Sequence, residues 1–148
     1  YFQADQATND HELWKSDGTS SGTVLVKDIR SGNIGSVQQL LENINGTLLF
    51  SANDGIHDVE LWKSDGSSAG TVLVRDINPG LGGSAPANFV NLGGTLIFSA
   101  NDGFNGQELW RSDGTYAGTF MLLEAQGGSA TAAAWVRSCS ITWSSRCW

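Results

Sequence analysis

Three tryptophans, Trp14, Trp62 and Trp110, stand 48 residues apart, each with a glutamate two positions before and an Asp-Gly pair three positions after. Residues of these types can do three kinds of chemistry. Indole faces suit the apolar faces of sugars, so the tryptophans can form a stacking platform. Asp17, Asp65 and Asp113 can offer oxygens to Ca²⁺, helped by Asn53, Asp54, Asn101 and Asp102 in neighbouring loops; the ion takes roughly six to eight oxygen ligands. Glu12, Glu60 and Glu108 recur with a basic residue three positions on, at Lys15, Lys63 and Arg111.

Each feature also has a plainer reading. A large side chain repeated in a strand buries area in every unit, which places the tryptophans in a core between units. The acidic stretches lack the alternating Asp-x-Asp-x-Asp-Gly spacing of a calcium loop. An Asp before a Gly usually caps its own tight turn. The glutamates and their basic partners are expected to form cross-strand ion pairs on unit surfaces. Catalysis is not expected, because an active site needs one constellation and here each group occurs three times. Ser16, Ser64 and Ser112 have no His nearby, and no Gly-x-Ser-x-Gly elbow is present. His11 and His57 occupy different repeat positions, with no second His or Cys at metal spacing. No cofactor is expected, with Ca²⁺ as the alternative.

These residues are positioned by a repeat. HELWKSDGTSSGTVLVKDI, VELWKSDGSSAGTVLVRDI and QELWRSDGTYAGTFMLLEA align in register, and Gly46–Gly55 (GTLLFSANDG) matches Gly94–Gly103 (GTLIFSANDG). Phe2–Asp5 is the remnant of that second segment. Self-similarity at a fixed period means a solenoid, propeller or array. Each unit reads as four short strands, in the last full copy near Asn88–Leu92, Thr95–Asn101, Glu108–Ser112 and Thr119–Leu123. The first two join through Asn45-Gly46 and Gly93-Gly94, pairs that suit a type I′ hairpin. The last two join through Ser-Asp-Gly turns, where Gly18, Gly66 and Gly114 are structural. Apolar residues fall on both strand faces, as for Leu48, Phe50 and Ala52 against Leu49, so each sheet is expected to lie between two neighbours. The expectation is an all-β chain of tandem four-stranded antiparallel blades, forming a partial or open propeller of about three blades and no long helix.

The run Glu12–Thr19 (ELWKSDGT), with its two near copies, resembles the ELWxxDGT repeat of bacterial secreted and surface proteins. The Gly-Thr-x-Leu-Val-x-Asp-Ile and Phe-Ser-Ala-Asn-Asp-Gly segments resemble the same repeat, and the likeness covers residues 1–125. Ser67 stands where the motif usually has Thr. The resemblance implies an exported, propeller-like, non-catalytic array, located outside the cell or on its surface and often part of a longer chain.

The 148 residues carry a net charge of −7 and a pI near 4.5, which argues against a phosphate-binding surface for nucleic acid. These residues hold no apolar run of membrane-spanning length and no leader peptide, and because the first residue is Tyr1 rather than Met, a leader is expected to have been cut away or never included. The expected divisions are a partial blade at 1–30, full blades at 31–78 and 79–125, and a divergent tail at 126–148. The tail has no acid, three of the six tryptophans, and both cysteines, Cys139 and Cys147. It can form a further hairpin around Ile141–Trp143, or can reflect an aberrant reading frame, and its cysteines can pair. About three blades fall short of the roughly four to eight of a closed propeller. Open sheet edges are therefore expected to pair with further blades or with copies of the chain. A first residue that is not Met favours a fragment of a longer protein. The expected function is a non-enzymatic extracellular module for binding, adhesion or scaffolding, with a glycan or protein ligand. The alternatives are a structural spacer and a fragment of a propeller enzyme whose active site lies on absent blades.

Overall fold

A computed structural model describes residues 1–5, 11–32, 35–80 and 82–123. The described residues are all-β, with no helix, in three antiparallel sheets built from consecutive strands. Sheet one holds β1 (Phe2–Asp5), β2 (His11–Lys15) and β3 (Val24–Lys27). Sheet two holds β4 (Val37–Ile44), β5 (Thr47–Asn53), β6 (Val59–Ser64) and β7 (Val72–Arg75). Sheet three holds β8 (Ala87–Leu92), β9 (Thr95–Asn101), β10 (Gln107–Ser112) and β11 (Phe120–Leu123). The four strands expected in the last unit lie within one residue of these bounds at either end. The hairpin expected around Ile141–Trp143 and the pairing of Cys139 with Cys147 fall outside the described residues.

The pairing repeats with the sequence. Phe2, Phe50 and Phe98 sit opposite Trp14, Trp62 and Trp110, and the ladder shifts register just before each tryptophan. Asn45 and Gly46, and Gly93 and Gly94, all have positive φ, as a type I′ turn requires.

Successive side chains in a strand point to opposite faces, so each sheet has two apolar faces that differ in content. One, called here the leading face, carries Leu48, Phe50, Ala52 and Trp62 in sheet two. It packs with Leu13 and Val26 of sheet one in a single buried cluster. The other, the trailing face, carries Ile44, Leu49, Leu61 and Val74, which pack with Leu96, Phe98, Ala100 and Trp110 of sheet three. The chain therefore stacks its sheets face to face, trailing side of one against leading side of the next. No strand of one sheet joins the ladder of another. Sheets two and three approach most closely at their first strands, β4 and β8.

Long cations cross both joints at matching places. Lys15 donates to the Gly66 carbonyl at 2.7 Å and Lys63 to the Gly114 carbonyl at 2.9 Å. Lys27 and Arg75 donate to the Thr71 and Thr119 carbonyls, and they lie over the Trp62 and Trp110 rings at 6.0 and 5.8 Å. Side chains with long stems suit this task, because the stem covers apolar surface while the charge reaches a polar rim.

Burial at these joints should dominate stability. Trp62→Ala is expected to lower the unfolding free energy by about 3–5 kcal/mol in urea denaturation. Trp14→Ala, at the half-buried equivalent on a leading face that no described sheet covers, should cost clearly less.

Candidate functional site

The glutamates expected on unit surfaces are instead among the most buried side chains. Glu12 and Glu60 are 0% exposed and Glu108 is 3% exposed. An ion pair with the basic residue three positions on is ruled out by strand geometry, since odd spacings point to opposite faces. Lys15 and Lys63 share the trailing side with Leu13 and Leu61 and reach forward to the next sheet.

Glu60 holds the segment that carries the chain from β7 into β8. Its carboxylate accepts the amides of Ile77, Asn78 and Ser84 at 3.1, 3.2 and 2.9 Å and the Ser84 hydroxyl at 2.6 Å. Glu12 does the same between β3 and β4, accepting the Ile29 amide and the Ser36 hydroxyl. Ser36 then ties the two sheets through its backbone, donating to the His11 carbonyl and accepting from the Asn53 amide. The glycine before each serine makes the approach possible. A Cβ at Gly35 or Gly83 would collide with the backbone of His11 or Val59. Gly35-Ser36 and Gly83-Ser84 recur at the period of the tryptophans, the one signal in the sequence that marks these serines.

The aspartates proposed for Ca²⁺ are each engaged within their own turn. Asp17 accepts the Thr19 amide and hydroxyl, Asp65 those of Ser67, and Asp113 those of Thr115. These bonds hold all three carboxyls below the ordinary aspartate value. Gly22, Gly70 and Gly118 close the turns, and a Cβ at any of them would overlap the aspartate side chain. Gly18, Gly66 and Gly114 turn the chain at φ of +92°, +87° and +85°. Asp54 accepts the Ile56 and His57 amides, and Asp102 those of Phe104 and Asn105. Asn53 and Asn101 accept the amides of Gly55 and Gly103. Among the described residues no three His, Cys, Asp or Glu side chains gather as a metal site.

Two of the three tryptophans lie in the core between sheets, the plainer of the two readings, and offer no stacking platform. Trp62 and Trp110 are 6% and 5% exposed and closed between sheets, so a sugar would have to part the sheets to reach them. The indole N–H groups of all three are buried without an acceptor among the described residues, so area rather than hydrogen bonding holds the rings.

Among the described residues the most exposed large apolar side chains lie in the loops between the second and third strands. Their tips present Ile56 and Phe104, 48 residues apart, at 69% and 90% exposure. The turns built on Asp54 and Asp102 hold these tips, and Asp54 also bonds His57 and raises its imidazole above the usual value. Beside Ile56 lies a cleft of about 160 Å³ lined by Arg30, Asn53, Gly55 and Asp58. Arg30 comes from the segment after β3, so the cleft spans the joint between sheets one and two. Composition-based reasoning missed it, because Arg30 has Asn78 as its counterpart and breaks the repeat.

Among the described residues no helix is long and apolar enough to cross a membrane. Comparison with protein-family models, curated proteins and solved structures found no match.

Burial pushes the Glu12 and Glu60 carboxyls above their ordinary value, and the serine and backbone hydrogen bonds offset only part of that rise. The folded chain thus binds these protons more tightly than the unfolded chain. Their stabilisation is complete below the unfolded value of 4.5 and is lost as pH rises through the folded values. The turn aspartates act oppositely, losing stability as pH falls below 3.8, outside that window. Denaturation midpoints should therefore fall as pH rises from 4.5 towards neutrality, and Glu60→Gln should shrink that fall. Glu60→Ala strands three amides and should cost at least about 2 kcal/mol in the same assay.

Proposed function

We propose that the three sheets are successive blades of a propeller-like array, and that the chain is a non-enzymatic module that binds a glycan or protein outside the cell. The observation that carries this reading is the pair of exposed apolar tips, Ile56 and Phe104, held by hydrogen-bonded turns at equivalent places on neighbouring sheets. Exposed apolar side chains in a rigid setting favour contact with a partner, because little conformational freedom is lost on binding. The close approach of the first strands and the face-to-face packing support blades arranged about a common side. Likeness to the ELWxxDGT repeat of secreted bacterial proteins supports a place outside the cell or on its surface. A non-catalytic role is supported by the fate of the candidate groups: glutamates, serines and aspartates recur in each unit and are engaged by linkers and turns.

A glycan array probed with the labelled chain, with and without Ca²⁺, tests the proposal. Binding to a defined subset is expected, and Phe104→Ala should reduce it at least about tenfold without moving the thermal midpoint, since that ring is almost wholly exposed. Silence across the array and against immobilised extracellular proteins would favour a structural spacer instead.

A further inference from the structure

The two joints inside the chain are copies of one another, and each uses a trailing face and a leading face. One of each remains uncovered by any described sheet. On the trailing side of sheet two, Ile44, Leu49, Leu61 and Val74 are 3%, 0%, 0% and 6% exposed. The same positions on sheet three are Leu92 at 66%, Ile97 and Leu109 half-buried, and Leu122 at 44%. On the leading side, Ser64, Gly66 and Thr71 of sheet two are buried against sheet one, as are Ser112, Gly114 and Thr119 against sheet two. Their counterparts in sheet one are more open: Ser16 and Gly18 are exposed, and Thr23 and Trp14 are half-buried.

A charged group marks the same gap. Lys15 and Lys63 each reach the carbonyl of the turn glycine in the following sheet. Arg111 is third in that series, and its Nε is buried with no hydrogen-bond partner among the described residues. The carbonyl that begins the matching series is that of Gly18, which receives no lysine or arginine among the described residues.

We infer that the trailing face of sheet three docks the leading face of sheet one in a second copy of this chain, with Arg111 donating to the Gly18 carbonyl of that copy. The complementarity needed is already displayed twice within one molecule, in apolar content and in the forward-reaching cation. Such contact is head to tail, so each copy retains one free face of each kind until a ring closes. A second sheet of the same repeat fits the face better than an unrelated partner, because Leu92, Ile97, Leu109 and Leu122 occupy the positions that receive a tryptophan-bearing sheet elsewhere. The chain's own residues 124–148, which follow β11, are the competing occupant.

Sedimentation velocity and native mass spectrometry of the full 148-residue chain decide between them. Assemblies larger than a monomer should grow with concentration across the micromolar range. Trp14→Arg, which spoils the leading face, and Leu122→Lys, which spoils the trailing face, should each give a folded monomer by circular dichroism. Mixed in equal amounts, the two variants should form a heterodimer and nothing larger, because one good face of each kind survives. Arg111→Ala, a milder change, should raise the dissociation constant at least about tenfold. A wild-type chain that stays monomeric would overturn the inference, as would assembly that neither face variant disturbs.

Discussion

A carboxylate taken out of water must find donors, and that need organises this chain. Glu60 lies wholly buried at the start of β6 and finds its donors in the linker towards β8, so satisfying one side chain also fixes where the next sheet begins. Leaving such a group unpaired is costly, which gives the linker little freedom to leave. The same geometry at Glu12 makes the joint a repeating device. Glycine supplies the clearance and serine the hydroxyl, and the two together form a latch that a bulkier pair would hold open.

The second constraint is that neither face of a sheet can stay wet. Each face offers leucine, phenylalanine or tryptophan, and stacking is the only way to bury both faces of a small sheet. Lysine and arginine finish the joint by crossing it, their charges bonded to carbonyls and set over indole rings. These contacts are local to adjacent sheets, so stability accumulates sheet by sheet, as in other arrays with nearest-neighbour coupling. Among the described residues the same logic leaves one face of sheet one and one of sheet three uncovered, and under the proposed assembly an array grows through sheet faces rather than strand edges.

With glutamates, serines and aspartates committed to linkers and turns, variation is concentrated where the repeat relaxes. Ile56 and Phe104 differ from one another while the Asn-Asp-Gly segments that turn the chain before them do not, and Arg30 stands where the next unit has Asn78. Under the proposed binding role, a repeated scaffold with differing tips would allow recognition to change without disturbing packing.

Strands, turns and their period were legible in the sequence, because hydrophobic alternation and Asn-Gly, Gly-Gly or Asp-Gly pairs act over a few residues. The presence of apolar residues on both faces likewise announced face-to-face stacking, which buries both sides of sheet two. The role of Glu12 and Glu60 was not legible. A glutamate three residues from a lysine reads as a surface ion pair in one dimension, and only the register of the strands shows that the two point apart. Their true partners, Ser36 and Ser84, lie 24 residues away and meet them only after the chain has turned into the next sheet. The cleft at Arg30 is likewise a product of two sheets meeting. Local periodicity thus determined the elements, while burial against neighbours decided which polar groups face inward, since that cost exists only once the sheets have stacked.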